Sequence, residues 1–174
     1  MHKTTVDSDG RKCILVLSRY ALDYLPYHNN RFQDSTWETC DLRKWLNSEF
    51  YYTAFSDDER SQLMEVENNN HDASMYNKTW RAKGGEVTYD NVFLLSYEQA
   101  EQYFENYYDR KCYATDYAIW KGAYVDDQNV CYWWLRSPGG NQGAAINVLF
   151  DGKLGSRVED SDCCVRPAMW LYVN

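Results

Sequence analysis

Cysteine and histidine are the side chains of this sequence that could bind a transition metal or act as a nucleophile and a base. The six cysteines are Cys13, Cys40, Cys112, Cys131, Cys163 and Cys164, and the three histidines are His2, His28 and His71. The cysteines form no CxxC motif and the histidines form no close pair, so the spacing matches no zinc site. No histidine stands beside a serine or cysteine in a known catalytic pattern. We therefore interpret the histidines as solvated surface side chains and the cysteines as mostly free packing thiols, and we predict no catalytic residue.

Acidic loops offer the oxygen ligands that calcium prefers. The two candidate clusters are Asp126-Asp127 with Asn129, and Glu159-Asp160 with Asp162. Runs of acidic residues in polar segments are more typical of solvated loops than of ion sites. We interpret both clusters in that way, and we predict neither a bound metal nor a cofactor.

The charge of the chain limits the kinds of partner. Its 174 residues carry a formal net charge of −8, and the pI is about 4.8. Nucleic acid is excluded by this argument, because binding to phosphates needs a stripe of Lys and Arg side chains. No apolar run approaches the length of a membrane-spanning helix, and residues 1–10 lack the apolar stretch of a signal peptide. We expect no membrane insertion, and the compartment and oligomeric state stay open.

The pattern of apolar residues predicts one α+β domain over residues 1–174, with two to three helices followed by a compact, mostly antiparallel C-terminal sheet. The predicted helices begin at the N-caps Thr39, Ser56 and Ser96, and the last two start with capping boxes that use Glu59 and Gln99. The predicted strands cover residues 12–17, 92–95, 131–135, 144–150, 153–158 and 163–172. Asp151-Gly152 predicts a hairpin turn, and Pro167 predicts an edge or a bulge in the last strand.

Large apolar side chains on the buried faces of these elements define the expected core. The predicted core residues are Trp45, Phe93, Leu95, Trp134 and Trp170. Trp133, Trp134, Arg136 and Arg166 are interpreted as scaffold, because a Trp-Trp pair in a strand presents one ring to each face. A guanidinium in an apolar strand must also be paired to be tolerated.

Several sequence stretches occur together in a distinctive order. They are WETCDLRKWLN at residues 37–47 with AFS at 54–56, DNVFLLS at 90–96, WWLRSPG at 133–139 and VRPAMWL at 165–171. This combination resembles a family of domains of unknown function that is common in gut Firmicutes. The resemblance implies a C-type-lectin-like fold, shared with formylglycine-generating enzymes and with the variable proteins of diversity-generating retroelements, and a bacterial or phage source.

The same resemblance brings two structural expectations. The two ends of a C-type-lectin-like domain usually meet in one sheet, so residues 12–17 and 163–172 are expected to pair. Formylglycine-generating enzymes use two C-terminal cysteines to bind copper, and the candidates here are Cys131, Cys163 and Cys164. Adjacent residues of a regular strand face opposite ways, so Cys163 and Cys164 cannot both face one metal.

These observations favour a non-enzymatic domain that binds a protein or a glycan through residues 141–162, the segment in which the resembled family varies most. The predicted contact residues are Asn147, Leu149, Phe150, Lys153, Arg157, Glu159 and Asp160. They are expected to form one exposed patch around the hairpin. A sharper version makes the chain a target of a diversity-generating retroelement. The alternatives are an oxygen-dependent enzyme like the formylglycine generators, and a structural module of a larger surface protein.

Overall fold

The computed structural model describes residues 3–30 and 33–173, and these residues form an α+β fold with several mostly antiparallel sheets. The strands are β1 (Lys3–Val6), β2 (Lys12–Leu17), β3 (Tyr20–Ala21), β4 (Asp23–Pro26), β5 (Leu63–Met64), β6 (Val66–Asn68), β7 (Thr88–Asp90), β8 (Cys112–Ala114), β9 (Val130–Cys131), β10 (Trp133–Pro138), β11 (Ala144–Val148), β12 (Leu154–Val158), β13 (Asp162–Val165) and β14 (Ala168–Tyr172). The α-helices are α1 (Asp41–Leu46), α2 (Glu49–Ala54), α3 (Asp57–Ser61), α4 (Tyr97–Tyr103) and α5 (Asp116–Trp120), and short 3-10 helices cover Ala73–Met75 and Tyr107–Arg110.

The beginning and the end of the fold meet in a four-stranded antiparallel sheet with the order β1-β2-β14-β5. In this sheet Leu17 lies opposite Ala168 and Cys13 lies opposite Tyr172. The expected pairing of residues 12–17 with the C-terminal strand is therefore confirmed for β14.

The stretch expected to be one strand, residues 163–172, is instead two strands in two sheets. β13 belongs to a five-stranded sheet with the order β12-β11-β10-β13-β4, in which only the β10–β13 pair is parallel. The chain changes sheets at Arg166-Pro167, where the Pro167 carbonyl accepts a hydrogen bond from the Ser18 amide at 2.9 Å. Proline has no amide hydrogen to continue a strand ladder, which explains the break at this position.

Local capping chemistry sets the helix starts. Ser56 and Ser96 form the two predicted capping boxes, with Glu59 and Gln99 as partners. The predicted N-cap Thr39 is wrong by one residue, because the Cys40 side chain caps α1 by accepting the Arg43 amide hydrogen. The single helix expected to begin at Thr39 is also interrupted, because α1 ends at Leu46 and α2 begins at Glu49.

Residues 92–95 were expected to form a buried strand, and only their burial is confirmed. All four side chains are fully buried, yet the backbone makes a single bridge, between Phe93 and Ala168, instead of a strand ladder. A short apolar run reports burial, and it does not by itself distinguish a strand from a buried loop.

Tryptophan and tyrosine rings fill the core and keep their polar atoms bonded. Trp133 and Trp134 are both fully buried, and their indole nitrogens donate to the Arg110 and Leu25 carbonyls at 3.0 Å. Of the predicted core residues, Phe93, Leu95 and Trp134 are fully buried. Trp45 and Trp170 are only partly buried and pack against the core from its edge.

The carboxylate of Asp90 joins three segments in the interior. Its side chain is fully buried, and its Oδ1 lies 2.5 Å from the Arg43 Nε donor. Its Oδ2 accepts hydrogen bonds from the Trp37 indole at 3.0 Å. The same atom accepts from Asn68 and Thr88, both at 2.9 Å. A buried carboxylate is tolerated when its lone pairs are satisfied in this way.

Two more side chains connect the distinctive sequence stretches to one another. The Asn47 amide donates to the Val92 carbonyl at 2.8 Å and accepts the Asn91 amide hydrogen at 2.9 Å. The buried Arg136 guanidinium donates to the Leu94 carbonyl at 2.9 Å. Arg136 is thus paired with backbone carbonyl oxygen, where a charged partner could have been expected.

No helix in the described part of the chain is both long enough and apolar enough to cross a membrane.

We expect Asp90→Ala to lower the free energy of unfolding by about 3–5 kcal/mol, because it leaves the Arg43 guanidinium and three buried donors without their acceptor. Urea denaturation followed by tryptophan fluorescence measures the change. Asp127→Ala is the control, because Asp127 is exposed and its loss should change the stability by less than about 0.5 kcal/mol. Equal effects of the two substitutions would contradict the role given to Asp90.

Candidate binding surface

A tight hairpin turn joins β11 and β12, as Asp151-Gly152 predicts. The Leu149 amide donates to the Lys153 carbonyl at 2.8 Å, which closes the turn. Gly152 has φ +88°, a conformation that favours glycine. A Cβ atom at Gly152 would stand 1.8 Å from the Tyr107 carbonyl oxygen. The turn is therefore seated directly against the 3-10 helix Tyr107–Arg110, and only glycine fits there.

Aromatic rings from four segments surround this turn. Phe150 stacks on Tyr132 with 4.0 Å between ring centroids, and Tyr124 lies 5.5 Å from Phe150. Tyr107 and Tyr108 lie 4.0 Å apart. Tyr124 and Tyr108 expose 66% and 57% of their surface. We name as the hairpin surface the six residues Tyr107, Tyr108, Tyr124, Tyr132, Phe150 and Lys153.

The ammonium group of Lys153 lies at the edge of the hairpin surface. Its Nζ atom is 5.6 Å from the Tyr107 ring centroid and 2.9 Å from an Asp151 carboxylate oxygen. The aspartate raises the pKa of Lys153 through this hydrogen bond. The lysine is therefore charged at neutral pH, and its charge is largely matched by that of Asp151.

The structure separates the predicted contact residues instead of gathering them into one patch. Leu149, Phe150 and Lys153 lie at the turn. The register pairs Arg157 with Ala145, so Arg157 lies toward the other end of the hairpin, and the exposed Asp160 follows beyond β12. The prediction of one continuous patch is wrong, because the strands between the two ends separate the residues.

Two of the predicted contact residues are buried. Asn147 exposes 2% of its surface and Glu159 exposes 5%. An exposed patch that includes Asn147 needs one face of β11 to be open to solvent, yet all five residues of this strand are buried, so both of its faces are covered. Asn147 lies between Trp134 and Gly155 in the sheet and cannot contact a partner without unfolding.

Glu159 connects the loop after β4 to the end of β12 through hydrogen bonds. Its backbone carbonyl accepts the amide hydrogens of Tyr27 and His28 at 2.9 and 3.1 Å. Its carboxylate accepts the Ser35 hydroxyl at 2.7 Å. Burial and the nearby Asp34 charge raise the pKa of Glu159 to about 7, although the Ser35 hydrogen bond opposes them.

His28 is buried, so its interpretation as a solvated side chain is wrong. It exposes 6% of its surface, and its Nδ1 atom lies 2.9 Å from an Asp41 carboxylate oxygen. His71 is half-exposed and faces Glu98 at 2.7 Å. His2 lies outside the described residues.

The cysteines are buried free thiols. The Cys131 thiol interacts with the thiols of Cys112 and Cys164, whereas the Cys163 thiol faces Asn147 and Arg157. Cys131 also acts on the Cys163 thiol, so the argument that the two adjacent cysteines cannot face one metal stays a prediction. Burial raises the pKa of Cys163, and a metal would bind the thiolate form. Among residues 3–30 and 33–173, no three His, Cys, Asp or Glu side chains are grouped so that they could hold a metal ion.

The aromatic side chains at residues 107, 108, 124 and 132 are not among the contact residues that the sequence predicts. Residues 107–132 contain many tyrosines without a helical or strand period, and this composition is the signal that could have indicated a surface role. Their convergence on the hairpin could not be foreseen, because it depends on the contact between Gly152 and Tyr107.

A separate groove of about 300 Å³ lies between α2 and α5. We name it the α2–α5 groove. Its lining residues are Leu22, Asp23, Trp45, Glu49, Phe50, Thr53, Ala54, Tyr117 and Lys121. Asp23 and Lys121 form an ion pair at 2.8 Å inside it. The remaining lining is largely apolar or aromatic, which is typical of a surface that binds a partner group.

The raised pKa of Glu159 gives a pH-dependent stability. A carboxyl whose pKa is near 4.5 in the unfolded chain and about 7 in the folded chain holds its proton longer in the folded state. The stabilisation is complete below about pH 4.5 and is lost as the pH rises through about 7. Relative to the wild type, Glu159→Gln should gain on the order of 1–3 kcal/mol between pH 5 and pH 8. Urea denaturation at each pH measures this gain. Parallel stability curves for the two proteins would contradict the assignment.

Comparison with known proteins gives one match. The comparisons with curated proteins and with solved structures found no match. A family described as a domain of unknown function, DUF6273, matches residues 12–173. That range contains both the hairpin surface and the α2–α5 groove, as well as every distinctive stretch of the sequence. The chain therefore belongs to the DUF6273 family.

Proposed function

We propose that this domain is a binding module that catalyses no reaction and that holds a protein partner on the hairpin surface. The observation that carries the proposal is the group of five aromatic rings, from four segments, around one tightly seated turn. Tyr108 and Tyr124 are more than half exposed. Rings held open to solvent in this way are available for a partner.

Protein interfaces use this kind of side chain. Tyrosine presents a large, rigid contact area and loses little conformational freedom on binding. Aromatic residues are enriched at the energetically important centre of interfaces, with polar groups at the rim. The hairpin surface has this composition, with Lys153 and Asp151 as its polar edge. The matched charges of that edge also support the expectation that nucleic acid is not the ligand.

Two finer proposals accompany the binding function. The first is that the fold is C-type-lectin-like, which is supported by the pairing of β2 with β14 and by the helices that precede the C-terminal sheet. The second is that a retroelement diversifies the ligand surface. Such diversification needs variable positions that are exposed. Asn141 is exposed and meets this requirement, whereas Asn147 is buried and does not. A neighbouring reverse-transcriptase gene with a near-copy of the coding segment would support it.

We expect the triple variant Tyr108→Ala, Tyr124→Ala, Lys153→Ala to lose partner binding with little loss of stability. Wild type and variant are immobilised and exposed to the extracellular proteins and glycans of the source culture. Any captured protein is purified, and its affinity is measured by calorimetry. The variant should bind at least tenfold more weakly, because interface aromatics carry most of the binding energy. Its melting temperature should stay within a few degrees of the wild-type value.

The matched control is Tyr52→Ala, Tyr89→Ala, Lys78→Ala. Its two tyrosines expose 67% and 58% of their surface, close to the exposure of those in the test variant, and they lie outside the hairpin surface. Equal loss of binding by both variants would mean that the hairpin surface is not the site. If only glycans are captured, the ligand of the hairpin surface is a glycan and the proposal of a protein partner is wrong.

A further inference from the structure

The most exposed large apolar side chain among the described residues is Trp120, at the end of α5. It exposes 80% of its surface, and its ring stacks on Tyr117 with 5.9 Å between centroids. The buried Ala118 and the Thr115 cap fix α5 to the domain. Trp120 is therefore a rigidly presented aromatic side chain, and its own domain buries little of it.

The α2–α5 groove lies next to this side chain. Tyr117, on which Trp120 stacks, lines the groove, and so does Lys121, the residue that follows Trp120. A projecting indole and an aromatic-lined groove thus share one edge of the molecule. A two-fold axis between them would bring each indole to the groove of the other copy.

The groove also offers the polar partner that an indole needs. The indole nitrogen only donates hydrogen bonds, and Glu49 lines the groove with a carboxylate that has no hydrogen bond or ion pair within the described ranges. The other carboxylate there, Asp23, is already paired with Lys121. Glu49 is therefore the carboxylate of the groove that is free to accept a hydrogen bond from an incoming indole.

We propose that two copies of this chain associate through a two-fold contact in which Trp120 of each copy enters the α2–α5 groove of the other and donates its indole hydrogen to Glu49. A Trp side chain buries about 150–250 Å², so two of them with their grooves form an interface below about 1,200 Å², the range of weak and transient complexes. The dimer should thus form at micromolar or higher concentration. It would present two hairpin surfaces to one partner, which strengthens binding by multivalency.

Sedimentation velocity of the whole chain from 5 µM to about 1 mM tests the contact. We expect a concentration-dependent dimer whose dissociation constant rises at least tenfold in Trp120→Ala, as for other interface tryptophans. Tyr89→Ala, which removes an exposed ring elsewhere, should leave it unchanged. Because each copy carries a net charge of −8, association should strengthen between 50 and 500 mM NaCl as repulsion is screened. A wild type that stays monomeric, or a dimer insensitive to Trp120→Ala, would overturn the proposal.

A mixing experiment distinguishes the proposed two-fold contact from non-specific association. Thr53→Arg should fill the groove and pair with Glu49 one helical turn away, while its Trp120 stays intact. Neither Thr53→Arg nor Trp120→Ala should self-associate, whereas an equimolar mixture should dimerise through one intact contact. Absence of mixed dimers, with both variants folded by circular dichroism, would refute the two-fold contact. Should either variant fold poorly, Glu49→Ala, which removes the acceptor, is measured instead, with a dissociation constant raised about threefold or more as the expected result and an unchanged one as the refutation.

Discussion

The buried carboxylate of Asp90 is the interaction on which the rest of the structure depends. It accepts hydrogen bonds from side chains on the loop before α1, on α1 itself and on the β6–β7 pair. A charge in the interior is costly when it is unpaired. The Asp90 carboxylate is therefore stabilised only when all of these donors are in place. The segments that carry them are held in one arrangement, and the helices are positioned against the sheets as a consequence.

The distinctive sequence stretches share this structural purpose. Asn47 bonds the backbone beside Asp90, and Arg136 bonds the backbone of the same buried run from the other side. These stretches therefore position the segments around the buried run at residues 92–95. The hairpin surface and the α2–α5 groove draw most of their side chains from outside those stretches, so the stretches carry little information about the ligand.

The features that the sequence predicted correctly are ones whose partner atoms are close along the chain. The capping boxes at Ser56 and Ser96 and the turn at residues 151–152 are such features, and the structure has all three. The exposure of Asn147 was wrongly predicted because β11 is buried on both faces. The exposure of Glu159 was wrongly predicted, because its burial depends on Tyr27, His28 and Ser35, which lie more than a hundred residues away in the sequence. The aromatic rings beside the hairpin were missed for the same reason, since their neighbourhood exists only after folding.

The close seating of Gly152 against the Tyr107 carbonyl has a consequence for protein engineering. A turn that is fixed by a backbone contact keeps its shape when the side chains around it are exchanged. A library that randomises Tyr108, Tyr124 and Lys153 while retaining Gly152 would therefore vary recognition and leave the fold alone. The domain offers, in that sense, a display scaffold whose tolerant and intolerant positions can be distinguished in advance.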